Sequence, residues 1–254
     1  MKIVNFSNKT AQFSNISAVA SNLACLAEKI GMDEVQKHFD EIAPSYDYWK
    51  RKNWYYYDAV KKIYKSSIPA GSRVLEIGCG TGEILAELRP SLGIGVDVSG
   101  EMIKRAQEKY ANFKNLTFFQ STAADFRTEE KFDYIILADV IEHLDDVRMS
   151  VRNIAKLASD STKVIVSMAN PLWEPILDLA EKLKLKMPEG PHERISIKEL
   201  IEICRDSGLS LRQMSYHLPF PKYIPVFSNI FNAVMEKIPF LNRLGVITVF
   251  IFKK

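Results

Sequence analysis

The sequence predicts a doubly wound α/β fold with a mostly parallel sheet, and three observations support this. Short runs rich in Val, Ile and Phe alternate with helix-like segments through the middle of the chain. A glycine-rich turn follows the first of these runs, and an acidic residue ends the second. Strands that alternate with helices of this length form βαβ units, whose strands pair in parallel.

Five strands are predicted in this alternating part, each a short β-branched or aromatic run. They cover Arg73–Ile77, Leu92–Asp97, Leu116–Gln120, residues 133–138 and residues 163–168. Helices are predicted over residues 82–89, 99–110 and 146–158, the second with Ser99 as its N-cap. Two later runs, residues 209–217 and 246–252, bring the number of strands to seven. Because no obvious sheet-packing helix separates these two runs, we expect them to pair antiparallel at the sheet edge.

The other segments divide the chain into a cap and a core with two insertions. Residues 1–65 are predicted to form a helical, aromatic-rich N-terminal extension or cap, and residues 66–254 the core. The insertions are residues 169–194, with a helix over 173–186, and the apolar, proline-interrupted residues 218–243. We expect both insertions to act as lids over an acceptor pocket. Core packing or a dimer contact is the alternative, as is a peripheral membrane contact through residues 218–243.

Composition restricts the classes of function. A chain of 254 residues with 47% hydrophobic and 26% charged residues fits one soluble domain with a sizeable core. A net charge of +3 is too balanced to indicate a nucleic-acid partner by itself. The cysteines Cys25, Cys79 and Cys204 lack the spacing of a zinc site or a disulfide framework. With no secretory signal and no bilayer-spanning apolar stretch, we expect a cytoplasmic protein; the sequence indicates no oligomeric state.

The turn after the first strand, VLEIGCGTG at residues 74–82, predicts a ligand site. Gly78, Gly80 and Gly82 allow a tight turn and a close approach of a ligand to the backbone. The helix behind the turn offers free N–H groups, which favour a carboxylate. The second strand ends at Asp97, where a carboxylate can accept hydrogen bonds from two ribose hydroxyls. Together these features predict a site for an adenosine-containing ligand.

Residues 39–163 resemble the class I S-adenosylmethionine-dependent methyltransferases of the small-molecule type. VLEIGCGTG is similar to the first motif of that family, and GVDVS at residues 95–99 to the second. The G-x-G-x-G spacing differs from the G-x-G-x-x-G that is usual in dinucleotide dehydrogenases. The resemblance implies a Rossmann-like, seven-stranded sheet with an antiparallel last strand. It also implies S-adenosylmethionine as the methyl donor and S-adenosylhomocysteine as the product.

The resemblance further implies which residues hold the donor. The glycine turn would hold the methionine part, with the ammonium at Glu76 and the Ala138 carbonyl. Asp97 would bind the ribose, while Val98 and Met102 would enclose the adenine. Ser121-Thr122-Ala123 replaces the family's common Gly-Asp-Ala, so the adenine edge could be read by Thr122, the Ala123 N–H or Asp125. The expected set is Glu76, Gly78, Cys79, Gly80, Gly82, Asp97, Val98, Met102, Thr122, Ala123, Asp125 and Ala138.

The segment LADVIEHL at residues 137–144 resembles the family motif beside the sulfonium, which implies that His143 lies nearest the transferred methyl group. An imidazole ionises near neutral pH and suits a general base, with His192 and Tyr46 as further candidates. A structural hydrogen bond is the alternative for His143.

Asp139, Glu142 and His143 form a D-x-x-E-H run, similar to the E-x-x-E-H of some magnesium-assisted O-methyltransferases. Such a set could hold a divalent ion. The shorter Asp in place of the first Glu counts against a metal here.

We therefore expect methylation of a small molecule on oxygen, and a hydrophobic or lipid-like acceptor would explain the apolar residues 218–243. An RNA or other nucleic-acid methyltransferase and a non-catalytic S-adenosylmethionine-binding protein are the alternatives. The aromatic and basic run at residues 49–57 would suit nucleic acid, but the balanced charge favours packing of its aromatics on the core. Positioning of donor and acceptor can lower the activation barrier by roughly 7–11 kcal/mol, and a general base can lower it by about 3–5 kcal/mol. The alignment of donor and acceptor therefore matters most.

Overall fold

The computed structural model describes residues 34–254, whose seven strands form one sheet in the order β3-β2-β1-β4-β5-β7-β6. The strands are β1 Arg73–Ile77, β2 Leu92–Asp97, β3 Leu116–Gln120, β4 Tyr134–Ala138, β5 Lys163–Ala169, β6 Ser210–His217 and β7 Ile247–Lys253. The helices are α1 (residues 34–52), α2 Trp54–Ser67, α3 Glu83–Glu87, α4 Gly100–Lys109, α5 Val147–Leu157, α6 Glu174–Lys182, α7 Ile197–Asp206 and α8 Phe227–Met235.

Strand directions confirm the predicted doubly wound, mostly parallel sheet with an antiparallel last strand. The pairs β1–β2, β2–β3, β1–β4 and β4–β5 are parallel, and β7 runs antiparallel to both β5 and β6. The chain winds outward from β1 in both directions, so the order reverses between β1 and β4. Ligands of such sheets bind at this switch point, beyond the carboxyl ends of the strands.

The two late strands pair antiparallel at this edge of the sheet, as predicted, with β6 outermost and β7 between β5 and β6. Helix α7, before β6, was not predicted, although Ser196 caps it by accepting a hydrogen bond from the Glu199 N–H. Its buried residues, Leu200, Ile203 and Cys204, have the spacing of a helix face.

The two faces of the sheet carry separate parts of the core, because successive strand side chains point to opposite faces. Leu75 and Ile77 pack on the face covered by α5 and α7, whereas Val74 packs on the face covered by α2, α3 and α4. The buried Tyr64 of α2 donates a hydrogen bond of 2.9 Å to the Leu137 carbonyl of β4. Helix α2 therefore belongs to the packed layers of the core.

The predicted extension, residues 1–65, is helical where the structure describes it, and residues 1–33 with Cys25 lie outside the described residues. Asp40 of α1 accepts hydrogen bonds from the Ser99 hydroxyl at 2.6 Å and the Glu101 N–H at 3.1 Å. These bonds fix α1 to the first turn of α4.

The first insertion begins after β5, and the second ends before β7. Because β5 and β7 are paired, these two points are neighbours on the sheet. The Asn170 side-chain amide donates to the Gly245 carbonyl at 2.8 Å, and the Trp173 indole donates to the Leu244 carbonyl at 2.8 Å. Within residues 34–254, no helix is long and apolar enough to cross a membrane.

Candidate active site

A cavity of about 320 Å³ opens at the carboxyl ends of β1, β2 and β4, and α1 forms part of its wall. Twelve residues singled out from the sequence contribute to its lining. They are Tyr46, Gly78, Gly80, Asp97, Val98, Met102, Thr122, Ala123, Asp125, Ala138, Asp139 and His143. The cavity therefore brings together the strand ends that the sequence motifs predicted. Glu76, Cys79, Gly82, Glu142 and His192 were also proposed as site residues, but lie outside this lining.

The glycine turn has a backbone that other residues rarely adopt. Gly78, Gly80 and Gly82 have φ of +69°, +51° and +77°. A Cβ on Gly78 would lie 2.2 Å from a methyl carbon of Val140, and one on Gly80 would lie 3.1 Å from the Tyr46 hydroxyl oxygen. The absence of a side chain at these glycines thus lets Val140 and Tyr46 pack closely against the turn.

The N–H groups of this turn are bonded to β2. Gly78 and Cys79 both donate to the Val96 carbonyl, at 2.7 and 3.0 Å. Gly80 donates to the Asp97 carboxylate at 2.7 Å. The turn therefore offers the cavity a fixed shape, and the N–H groups of Gly78, Cys79 and Gly80 are bonded within the protein.

Asp97 joins the first two motifs. One carboxylate oxygen accepts from Gly80 and the other from the Ser99 N–H at 2.9 Å. Burial raises the pKa of Asp97, and these two hydrogen bonds oppose the rise. The side chain is held at the end of β2 on the cavity wall, where a ribose hydroxyl could be bound.

His143 lies in the 3-10 turn after β4, on the cavity wall. Its Nδ1 is 3.1 Å from the Pro191 carbonyl oxygen. Because a carbonyl only accepts, Nδ1 carries the proton, and in the neutral ring Nε2 keeps the free lone pair. Burial is the main cause of a lowered pKa for His143, so the ring stays neutral near neutral pH.

The segment that holds His143, residues 188–192, also contacts His38 and contains His192. His38 Nε2 lies 3.2 Å from the Pro188 carbonyl oxygen, and His192 Nδ1 lies 2.9 Å from that of Gly190. The His192 ring centroid is 5.9 Å from that of His143. His192 therefore reaches the site through His143 and not through the cavity wall. The contribution of His38 was not predicted, because no sequence signal links it to a segment 150 residues away.

Comparison with known proteins agrees with this geometry. Residues 48–214 match a family model described as a methyltransferase domain. The chain belongs to the class I S-adenosylmethionine-dependent methyltransferases. S-adenosylmethionine is accordingly its methyl donor.

Two relatives and one solved structure show the range of similarity. An uncharacterized protein of Methanocaldococcus jannaschii is 28% identical over 181 residues, which are 67% of this chain and 80% of that protein. A ubiquinone biosynthesis O-methyltransferase of Aromatoleum aromaticum is 28% identical over 58% of this chain and 69% of its own. A Thermotoga maritima structure, described as a SAM-dependent methyltransferase and possible histamine N-methyltransferase, matches with a TM-score of 0.65 at 18% identity. That match covers 87% of this chain and 99% of the other, and it shows the shared fold.

The lining of this methyltransferase fits an adenosine-containing donor. The glycine turn leaves room that a Cβ would fill, and the buried Asp97 faces the same cavity as the apolar side chains of Val98 and Met102. Thr122 and Asp125 also line it but bond to each other, with the Asp125 N–H 3.0 Å from the Thr122 hydroxyl oxygen. Ala123 is buried beside them. Which of these three groups reads the adenine edge stays a prediction.

Glu76 lies beneath the glycine turn of the methyltransferase. Its carboxylate accepts a hydrogen bond of 3.0 Å from the Leu85 N–H and so satisfies a donor in the first turn of α3. Burial raises the pKa of Glu76 to about 8, and the nearby Lys50 ammonium opposes the rise. Its predicted role toward the ammonium of the donor stays a proposal.

The D-x-x-E-H run of this methyltransferase is not arranged as a set of metal ligands. Asp139 accepts hydrogen bonds from the Ser167 hydroxyl at 2.7 Å and the Tyr56 hydroxyl at 2.8 Å, so both oxygens have partners. Burial and the neighbouring carboxylates raise the pKa of Glu142 to about 8. In the part of the chain that the structure describes, no group of three His, Cys, Asp or Glu side chains could hold an ion.

Tyr46 of α1 lines the cavity, and Lys50 lies one turn further along the same helix. Burial raises the pKa of Tyr46 far above its usual range, so the phenol is a neutral hydrogen-bonding group at neutral pH and a poor base. The Lys50 ammonium lies 4.7 Å from the Tyr46 ring centroid and 5.3 Å from that of Tyr57. The aromatic and basic run at residues 49–57 thus places a cation and neutral phenols next to the buried carboxylates.

Proposed function

We propose that this methyltransferase transfers a methyl group to an oxygen atom of a small, hydrophobic acceptor, with His143 as the general base. The observation that carries the proposal is the hydrogen bond from His143 Nδ1 to the Pro191 carbonyl. It fixes the tautomer in which Nε2 can accept a proton, on the wall of the cavity that contains the glycine turn. The lowered pKa keeps that nitrogen unprotonated at neutral pH.

The chemistry of an oxygen acceptor explains why such a base is useful. A bound S-adenosylmethionine supplies an already activated methyl group on sulfur. The acceptor hydroxyl must lose its proton as its oxygen bonds to carbon, and His143 Nε2 would take that proton. A positioned base typically contributes 10²–10⁴-fold, and alignment of the acceptor contributes more. The similarity to a ubiquinone biosynthesis O-methyltransferase supports an oxygen acceptor.

The apolar part of the cavity supports a hydrophobic acceptor. Val35 and Phe39 of α1 and Leu144 after the 3-10 turn line it together with His143. The first insertion closes against α1, because Met187 packs with Phe39 and Tyr46 around the buried Ile42. We propose that residues 169–194 act as a lid on this side. Neither insertion contributes a residue to the cavity lining, but residues 218–243 pack against α2 and lack the contact with α1 that Met187 makes, so their predicted lid role has no comparable support.

The test is a methyl-transfer assay on the purified chain with labelled S-adenosylmethionine. The acceptors are matched sets of phenols, carboxylic acids and amines, each with a short and a long alkyl chain, and bulk transfer RNA. We expect label in the hydroxyl or carboxyl compounds, with a preference for the longer chains, and methyl-oxygen bonds in the products by mass spectrometry.

Transfer mainly to amines would contradict the oxygen acceptor, and transfer mainly to RNA would support the nucleic-acid alternative. Donor binding by calorimetry, without turnover of any acceptor that itself binds, would support the non-catalytic alternative.

A further inference from the structure

Most of the large apolar side chains that are exposed on residues 34–254 lie in or next to the two insertions. Among residues 34–254, 21 large hydrophobic side chains are exposed, and 15 of them lie in residues 172–185 and 223–244. We call these two segments together the insertion surface. Its exposed members are Leu172, Ile176, Leu179, Leu183, Leu185, Tyr223, Ile224, Val226, Phe227, Ile230, Val234, Ile238, Phe240, Leu241 and Leu244.

Helix α8 has its polar side inward. Its buried residues are Ser228 and Asn232, whereas Ile230 and Val234 are 60% and 51% exposed. The buried polar groups are satisfied: Ser228 accepts from the Ile224 N–H at 2.7 Å, and Asn232 accepts from the Phe220 N–H at 2.8 Å. These hydrogen bonds hold the helix in this orientation, and its apolar side therefore faces outward.

Helix α6, in the first insertion, also exposes apolar side chains. None of its residues is buried, and Ile176, Leu179 and Leu183 follow the spacing of one helix face. The hydrogen bond from the Trp173 indole to the Leu244 carbonyl joins the start of the first segment to the end of the second. Exposed apolar side chains concentrated in this way are unusual on a soluble monomer and indicate an interaction site.

The acids of α6 are already paired, Glu174 and Asp178 with Arg194 and Glu181 with Lys186, so the charges of the insertion surface without an ion-pair partner are basic. Residues 218–243 contain three basic residues, Lys222, Lys237 and Arg243, and one acid, Glu236. Glu236 is used internally, because it accepts from the Leu218 N–H at 2.9 Å and lies 3.7 Å from His217 Nδ1. Within residues 34–254 none of the three cations forms an ion pair.

Aromatic residues border the same surface. The Trp54 ring of α2 is 48% exposed and lies 4.9 Å from the Tyr223 ring, centroid to centroid. Exposed aromatic rings and long basic side chains beside an apolar helix face are the residue types that favour the interface of a bilayer. A protein partner would need acids to match the cations, whereas anionic headgroups provide that charge over any area.

We infer that the insertion surface docks this methyltransferase on a lipid bilayer that carries anionic headgroups. The inference goes beyond the proposed function and does not depend on the acceptor. Both insertions leave the sheet at the edge where the carboxyl ends of β1, β2 and β4 form the cavity. Docking through them would therefore bring the cavity edge of the sheet toward the bilayer.

The test is co-sedimentation of the full chain with phosphatidylcholine vesicles, with and without phosphatidylglycerol. We expect binding to the anionic vesicles, reduced at least about tenfold by the double substitution Ile230→Ser and Val234→Ser. The substitution Phe119→Ser is the matched control, because it removes an exposed apolar side chain at the opposite edge of the sheet. The double substitution Lys222→Gln and Lys237→Gln should weaken binding to anionic vesicles and make it less sensitive to salt.

Circular dichroism and donor binding should be unchanged in all these variants, because the replaced side chains are exposed. A chain that stays in the supernatant with both kinds of vesicle would overturn the inference. Binding that Ile230→Ser and Val234→Ser leave intact would overturn it too. A concentration-dependent dimer that these substitutions disrupt, without any vesicle binding, would assign the surface to a second copy of the chain instead.

Discussion

Burial moves the titratable side chains of the site toward their neutral forms. The pKa of the acid Glu76 is raised to about 8 and that of the phenol Tyr46 is raised further, whereas that of His143 is lowered. In each case desolvation penalises the charged form. A bound cationic donor would lower the pKa of the neighbouring carboxyl groups. Donor binding should therefore be coupled to the release of a proton at this site.

For Asp97, we expect the substitution Asp97→Asn to weaken S-adenosylmethionine binding at least about tenfold, or about 1.4 kcal/mol. The amide has one accepting oxygen where the carboxylate has two, and both are used by Gly80 and Ser99. Calorimetry measures the change, with Asp160→Asn as an exposed control. Unchanged affinity would remove Asp97 from the donor site.

For His143, we expect the substitution His143→Ala to lower kcat about 10²-fold or more and to leave donor affinity nearly intact. In the wild type, kcat/KM should fall as the pH drops below the ordinary histidine value of 6.5, because the base becomes protonated there. His217→Ala is the control, since that ring bonds to Ser215 on β6. Full turnover in His143→Ala would leave the residue only the structural role of holding residues 188–192.

For Glu76, we expect the unfolding midpoint of the wild type to fall relative to Glu76→Gln as the pH rises from about 5 to about 8. The folded pKa of about 8 lies above the ordinary value of 4.5, so folding favours the protonated acid. The stabilisation is complete below the ordinary value and is lost as the pH rises through the folded value. A glutamine oxygen can still accept from Leu85, so the hydrogen bond is kept.

Thermal melts over this pH range measure the difference, with the exposed Glu108→Gln as the control. Parallel pH profiles for wild type and Glu76→Gln would show that Glu76 is ionised in the folded chain at neutral pH.

At the scale of elements, the segment 188–192 depends on Gly190. This glycine has φ of +73°, and a Cβ on it would lie 2.3 Å from a ring carbon of His38. We expect Gly190→Ala to displace the segment, break the bond from His143 to Pro191 and lower turnover several-fold at nearly unchanged donor affinity. The same bond raises the pKa of His143, so its loss should move the low-pH limb of kcat/KM further toward acid.

Gly208→Ala is the matched control for this substitution. Gly208 has φ of +86° with no atom within 4 Å of an added Cβ, so it reports the backbone strain without the clash. Equal effects of the two substitutions on turnover would show that strain or global destabilisation, and not the contact with His38, is responsible.

The elements that were predictable from sequence are those with strong local signals. Arg73–Ile77 and Leu92–Asp97 end at glycines or an acid, and their bounds agree with the prediction. Helix α6 ends at Lys182, earlier than the predicted residue 186, because the chain turns at Lys184 with φ of +54°. Contacts between distant residues, such as His38 with Pro188, have no local signal and need the folded chain.

At the scale of the whole molecule, sheet topology places the site and the insertion surface on one edge. Strands β1, β2 and β4 end at the cavity, and β5 ends at the first insertion. The antiparallel β7 begins where the second insertion ends, so both insertions emerge at that same edge. Sequence patterns predicted the strands and the insertions separately. The inverted orientation of α8 depends on bonds to Phe220 and Tyr55, which only tertiary contacts reveal.

If the proposed function and the bilayer inference both hold, membrane docking should increase methyl transfer to acceptors with long alkyl chains. We expect anionic vesicles to lower the apparent KM for such an acceptor several-fold, because enzyme and acceptor are concentrated on one surface. The double substitution Ile230→Ser and Val234→Ser should abolish this gain, yet retain full turnover of a short, water-soluble acceptor. Initial rates with and without vesicles measure both effects. A gain that persists in the double variant would show that the vesicles act on the acceptor alone, whereas loss of turnover with the short acceptor would show that α8 supports the active site itself.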